Sequence, residues 1–156
     1  MPVARVHVRS WQVGYRHLLP AEYLAALDPE ERAKRYTFGS SDPTQPSTLV
    51  AVERDVICGF ATTLPASYEG MPGFGLLGAL YVDPDHWSRG IGRALLQAAR
   101  SQLRKQRFDH AVLWVLVGNT RAQRFYEQDG WVCDGQHRAE VIWGITVNDV
   151  RYRCTL

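Results

Sequence analysis

Two glycines, two residues apart, mark the point where an apolar run gives way to a helical pattern. Gly90 and Gly92 follow the apolar run Phe74–Val82 and open an amphipathic stretch. Without side chains they let an anion approach the backbone, and the first amides of the helix point outward beside the positive end of its dipole. A tight strand-to-helix turn without any ligand is the alternative explanation. The spacing therefore predicts a phosphate or pyrophosphate site, with a purely structural turn as the competing interpretation.

Two common phosphate-binding patterns do not fit this segment. The Gly-Lys-Ser/Thr ending of a nucleotide P-loop is missing, as are the third glycine and the downstream acidic residue of a dinucleotide-binding fold. A dinucleotide-dependent oxidoreductase is therefore a poor match.

The segment does resemble the acetyl-coenzyme A motif of the GNAT superfamily of N-acetyltransferases. In that family a strand ending in Val-x-Pro leads through Gln/Arg-x-x-Gly-x-Gly/Ala into a helix. Val82-Asp83-Pro84 and the run from Trp87 to Gly92 occupy those places. The second half of the family pattern is an Asn that opens a helix bearing a Phe-Tyr pair, and it is matched by Asn119, Ala122, Phe125-Tyr126-Glu127 and Gly130-Trp131. The run from Trp11 to Leu24 also resembles one subgroup, so the resemblance covers nearly the whole chain.

The resemblance implies an α/β fold in which helices flank a central mixed sheet. It implies transfer of an acetyl group from acetyl-coenzyme A to a primary amine of a small molecule or peptide, by direct attack. The pyrophosphate would lie on the backbone amides of Arg89 to Ala94. The implied cofactor contacts are Tyr81, Val82, Ser88, Arg89, Gly90, Ile91, Gly92, Arg93, Ala94, Asn119, Ala122 and Tyr126. A non-catalytic module that binds or senses acyl-coenzyme A is the alternative.

Acetyl transfer needs a neutral amine, a donor for the developing oxyanion and a proton for the departing thiolate. By the family pattern, the backbone N–H near Val82 polarises the thioester carbonyl and Tyr126 meets the sulfur as the catalytic acid. A phenol holds a suitable proton at neutral pH, but packing in the core beside Phe125 would also explain Tyr126. Asn119 would hold the pantetheine arm or simply cap its helix.

The general base is not evident from the sequence. Many relatives carry a Glu on the strand before the Val-x-Pro turn, but this chain reads Leu77-Gly78-Ala79-Leu80 there. The groups that could act as the base in place of this Glu are Glu53, His86, Tyr81 or a chain of water molecules.

Recognition of the acceptor amine is expected from aromatic residues of the N-terminal region, which could equally belong to the core. The candidates are Trp11, Tyr15, His17 and Tyr23, together with the loop over residues 65–73.

The chain departs from the family pattern in two places. Trp87 stands where Gln or Arg is usual, and Ser88 where glycine is frequent, so the turn and the cofactor affinity are expected to differ. The chain also begins at the helix that a strand precedes in relatives. With that first strand missing, the next strand has an exposed edge, which the C-terminal tail or a second chain in a homodimer could cover.

The elements that must position these residues follow from periodicity and turn signals. The pattern predicts an amphipathic helix to Leu18, and Asp28 caps another that runs from Pro29 to about Phe38. The apolar run 111–117 is typical of a strand buried on both faces, parallel to the strand 74–82 and splayed from it. The other predicted elements are a short helix to Leu27, a loop over 37–47, a hairpin of 48–53 and 56–64, helices over 90–106 and around 122–126, and two strands within 131–156.

Composition bounds the class of protein. A chain of 156 residues with 46% hydrophobic residues predicts one domain over residues 1–156. A net charge of +2 gives no reason to expect nucleic acid or membrane binding. Three scattered cysteines indicate reduced thiols and a cytoplasmic protein, and the histidines show no metal-ligand spacing.

Overall fold

A six-stranded mixed sheet forms the centre of the computed structural model, which describes residues 1–34, 36, 38, 42 and 44–156. The spatial order is β1-β2-β3-β4-β6-β5. The β3–β4 pair is parallel and the other neighbouring pairs are antiparallel. The strands are β1 (Ser47–Glu53), β2 (Val56–Pro65), β3 (Phe74–Val82), β4 (His110–Leu116), β5 (Val132–Ile142) and β6 (Ile145–Thr155).

Helices cover both faces of this sheet, as the predicted α/β fold requires. Alternate residues of β2 point to opposite faces: Phe60 packs with Val3 and Val6 of the first helix, whereas Ala61 packs with Leu95 and its neighbours in the fourth. The helices are α1 (Pro2–Gly14), α2 (Ala21–Ala25), α3 (Pro29–Ala33), α4 (Ile91–Lys105) and α5 (Thr120–Glu127), with short 3₁₀ turns at Ala66–Glu69 and Pro84–His86.

The parallel strands β3 and β4 separate part-way along their length. They pair from Phe74–His110 to Leu77–Leu113, although β3 continues to Val82 and β4 to Leu116. Their splayed arrangement is therefore confirmed, and it leaves an opening in the middle of the sheet. β4 lies between β3 and β6, so the prediction of an interior strand also holds.

Several predicted boundaries were wrong. The first helix ends at Gly14, because the segment after it forms hydrogen-bonded turns in which Leu18 and Leu19 donate to the Tyr15 carbonyl. The helix capped by Asp28 ends at Ala33 rather than near Phe38. Much of the predicted 37–47 loop lies outside the described residues.

The edge of the sheet at β1 is open. Among the described residues β1 pairs with β2 alone, and Val50 and Val52 on it are exposed. Across the part of the chain that the structure describes, no helix has the length and apolar character needed to span a membrane.

Candidate active site

The N-terminus of α4 presents unpaired backbone donors. Gly90 caps this 15-residue helix without any side-chain hydrogen bond. Helix geometry leaves the N–H groups of Ile91, Gly92 and Arg93 without intrahelical acceptors. The Ala94 amide already donates to the Gly90 carbonyl at 3.0 Å. The Ala94 amide is therefore not available to a pyrophosphate, and the available donors are the amides of the first turn of the helix.

The two glycines of this turn serve different purposes. Gly90 has a φ of 81°, a left-handed conformation that L side chains rarely adopt, and a Cβ there would meet nothing within 4 Å. Gly92 is inside the helix, where a Cβ would lie 3.5 Å from the Phe125 ring and 3.8 Å from Val82 Cγ2. Gly90 thus sets the direction of the turn, and Gly92 keeps space open between α4, α5 and β3.

The turn itself is held by the residues that depart from the family pattern. Trp87 Nε1 donates to the Val82 carbonyl at 2.7 Å, and Ser10 Oγ donates to the same oxygen at 2.9 Å. Ser88 has a φ of 61°, which explains why glycine is favourable at this position. Arg89 Nη1 lies 3.3 Å from Glu53 Oε2 on the surface.

A first cavity of about 420 Å³ extends from this turn to the opening between β3 and β4. All of the predicted cofactor contacts except Arg89 and Ala94 line it. The lining residues among them are Tyr81, Val82, Ser88, Gly90, Ile91, Gly92, Arg93, Asn119, Ala122 and Tyr126.

Tyr126 lies on α5 in the wall of the first cavity. It is 9% exposed, and its ring makes edge contacts with Phe125 and Trp131. Burial raises the pKa of its hydroxyl well above the ordinary value, with a smaller effect from Tyr81, so the phenol stays protonated at neutral pH. Its position suits a proton donor and a core aromatic alike.

Asn119 caps a helix and also lines the first cavity. Its side-chain oxygen accepts a 3.2 Å hydrogen bond from the Ala122 amide and caps α5, and the residue lines the first cavity. The cap occupies the carbonyl oxygen, so the amide NH₂ is the group that can meet a ligand.

A second cavity of about 460 Å³ meets the first where β3 and β4 diverge. The residues that line both are Tyr15, Leu77, Gly78, Ala79, Tyr81, Trp114 and Leu116. Burial raises the pKa values of Tyr15 and Tyr81, which keeps both hydroxyls protonated at this junction. Two ligands that enter from the two cavities can therefore meet at the opening in the sheet.

The segment of the chain that forms most of the two cavities also matches a known family. Residues 11–131 match the Acetyltransferase (GNAT) family. The chain belongs to this family. The match includes the turn into α4 and the α5 segment that carries Tyr126.

Relatives and solved structures agree with the GNAT assignment. The chain is 29% identical over 117 residues to the uncharacterized N-acetyltransferase YuaI of Bacillus subtilis. The aligned region covers 75% of this chain and 66% of that protein. It is 37% identical over 81 residues to a mycothiol acetyltransferase of Thermobispora bispora, covering 49% of this chain and 28% of that protein. These matches span less than two thirds of each relative's length.

The fold is also that of solved GNAT proteins. The PaiA N-acetyltransferase of Thermoplasma acidophilum, crystallised in complex with coenzyme A, is similar with a TM-score of 0.75 at 19% identity. The similarity covers 98% of this chain and 90% of that one.

The candidate bases of this GNAT chain are dispersed. Glu53 lines neither cavity and lies 3.4 Å from His86 Nε2, between that ring and Arg89. His86 lines the first cavity beside the α4 turn and not the second. Tyr81 is the candidate that lies where the cavities meet.

The expected acceptor residues are only partly brought together. Trp11 and Tyr15 line the second cavity. His17 and Tyr23 do not, and the Tyr23 hydroxyl instead donates to the Ile142 carbonyl at 3.0 Å. None of the residues 65–67 and 70–73 lines this cavity.

Sequence reasoning missed the charged residues of the second cavity. They come from the end of α3 and from the β5–β6 hairpin, and no local motif connects these segments. Arg138 lies 2.7 Å from Glu140 and 3.3 Å from Asp149, so both carboxylates are ion-paired. The other missed lining residues are Arg32, Tyr36 and Trp143.

Proposed function

We propose that this protein transfers an acetyl group from acetyl-coenzyme A to a primary amine that enters from the second cavity. The observation that carries the proposal is the meeting of the two cavities at the opening between β3 and β4. One cavity ends at an anion-suited helix terminus, and the other is lined by aromatic and charged groups. This is the geometry that two separately bound reactants need.

The residues of the first cavity fit coenzyme A. The first-turn amides of α4 would hold the pyrophosphate, since a 15-residue helix without a side-chain cap leaves them and its dipole for an anion. The Asn119 amide would contact the pantetheine arm. A GNAT structure of the same fold was crystallised with coenzyme A, which supports this assignment. When bound, acetyl-coenzyme A supplies an activated thioester.

The described residues around the two cavities include a candidate proton donor but no free carboxylate that could act as the general base. Tyr126 holds a proton at its hydroxyl through neutral pH, and it would donate that proton toward the departing sulfur. The carboxylates in the second cavity are engaged with Arg138. The acceptor amine would therefore lose its proton to solvent, directly or through water at Tyr81, before it attacks.

Two measurements on the same preparation test the proposal. Calorimetry is expected to show acetyl-coenzyme A binding, and a thiol reagent is expected to show coenzyme A release that depends on an added amine. Cys133 is exposed and will react with the reagent, so each rate is taken against a blank without acceptor. Binding without turnover across a broad amine panel would instead indicate the non-catalytic module.

A further inference from the structure

Arg32 is an arginine of the second cavity that forms no ion pair among the described residues. Arg138 has two acidic partners, Glu140 and Asp149. Among the described residues, no carboxylate forms an ion pair with Arg32, which lines the same cavity. Arg32 therefore stands in the cavity wall without an ion-pair partner, although the formal charges of the two arginines and two carboxylates among the described lining residues balance.

Aromatic rings hold this guanidinium in place. Its carbon lies 4.6 Å from the centroid of Trp143 and 5.4 Å from that of Tyr36. Arg32 Nε donates to His7 Nδ1 at 3.3 Å. Ring contacts fix the side chain while leaving its other N–H groups for an anion, and a guanidinium fork matches a carboxylate.

His7 adds a neutral donor beside Arg32. Its Nδ1 accepts from Arg32 and is hydrogen-bonded to the Tyr36 hydroxyl, so Nε2 is the nitrogen that carries the proton. His7 is 3% exposed, and its Nε2 has no hydrogen-bond partner in the described part of the chain; the same holds for Trp11 Nε1. Burial and the charge of Arg32 lower the pKa of His7 well below its ordinary value, so the ring stays neutral.

We propose that the acceptor amine carries a carboxylate, which the Arg32 guanidinium binds. The inference rests on the proposed acetyltransferase function and deepens it. A single unpaired guanidinium beside a neutral imidazole, in a cavity that also holds two carboxylates, matches a monoanion better than a phosphate dianion. His7 stacks on Tyr81 at 4.4 Å between centroids, and Tyr81 lies where the cavities meet. His7 thus separates Arg32 from Tyr81, so an acceptor whose carboxylate is close to its amine, as in an amino acid, fits this arrangement.

The test compares matched pairs of acceptors in the full chain. Coenzyme A release is measured with free L-amino acids and short ω-amino acids, and with the carboxamide of each. The wild-type protein is expected to prefer the acid over its amide by about 10-fold or more in kcat/KM, the range of one charge-assisted hydrogen bond. Equal rates, or a preference for the amides, would overturn the proposal without any variant.

Arg32→Gln is expected to lower kcat/KM for the acids by about 10-fold or more and leave the amides within about 2-fold. Arg5→Gln is the matched control, because Arg5 is exposed on α1, lines neither cavity and removes the same charge. Arg32→Lys keeps the charge and is expected to retain part of the preference, which provides a second variant if Arg32→Gln folds poorly. Equal losses on acids and amides would assign Arg32 a structural role and refute the carboxylate site.

The two proposals fail in different ways. Turnover of acids and amides at equal rates, with neither affected by Arg32→Gln, would overturn the carboxylate site and leave the acetyltransferase function standing. No turnover of any amine by a protein that binds acetyl-coenzyme A would overturn both.

Discussion

The Trp87 indole N–H donates a 2.7 Å hydrogen bond to the Val82 carbonyl, which ties the turn before α4 to the end of β3. The guanidinium carbon of Arg121 lies 3.7 Å from the centroid of the same indole ring. Trp87 occupies a position where the family pattern has Gln or Arg. A side chain that departs from the motif therefore organises the strand end on which the proposed chemistry depends.

Two donors share the Val82 carbonyl, and their removal is expected to be non-additive. Trp87→Phe and Ser10→Ala each leave one hydrogen bond to this oxygen, so each should cost about 1 kcal/mol of unfolding free energy. The double variant leaves a buried acceptor unsatisfied and should cost more than the sum. Urea unfolding of the four proteins measures the coupling, and strict additivity would show that the two bonds act independently.

Tyr126→Phe is expected to lower turnover by about 10²-fold or more, the usual contribution of a positioned acid. Loss of the hydroxyl alone preserves the ring contacts with Phe125 and Trp131, so cofactor affinity by calorimetry should change little. Tyr23→Phe is the matched control, since that hydroxyl lies outside both cavities. An unchanged rate under conditions where chemistry limits turnover would identify Tyr126 as a core aromatic.

Gly92→Val is expected to weaken acetyl-coenzyme A binding severely while the protein still folds. A Cβ at residue 92 is already in contact with Phe125 at 3.5 Å, so the additional methyl groups must occupy the first cavity. Gly92→Ala separates the two effects because it adds the Cβ without those methyls. If the folded Gly92→Val variant binds acetyl-coenzyme A normally, the pyrophosphate does not bind at this turn.

Ser88→Gly is expected to stabilise the protein by about 0.5 to 1 kcal/mol, since Ser88 holds a φ of 61° that glycine adopts without steric cost. Ser88→Ala keeps the Cβ and the strain, and should not stabilise. Thermal unfolding of both variants measures the difference. A gain with alanine and none with glycine would contradict the argument from backbone conformation.

The rate is expected to rise with pH until the acceptor amine is deprotonated. The pKa of Tyr126 is raised by burial, so the acid form persists beyond pH 10 and does not limit the rate at lower pH. The midpoint in kcat/KM should move with the amine pKa when acceptors of different basicity are compared. A midpoint that stays fixed for every acceptor would indicate a protein base in place of the amine's own ionisation.

The features of this protein that depend on neighbouring residues could be predicted from the sequence. The glycine spacing after the apolar run Phe74–Val82 marked the turn into α4, and Asn119 marked the start of α5. These features depend on neighbours within a few residues, where propensity and capping act. The parallel β3–β4 pair followed from the strand–helix–strand pattern, and the family resemblance implied the mixed sheet.

Tertiary structure decided which charges and hydroxyls are available for function. Arg138 and Asp149 pair across the β5–β6 hairpin, whereas Arg32 meets Trp143 from a distant part of the chain and finds no acidic partner among the described residues. Burial gave Tyr126 its raised pKa. Desolvation and ion pairing depend on contacts between segments far apart in sequence. The sequence alone could therefore identify the family motif, but the second cavity emerged only from the fold.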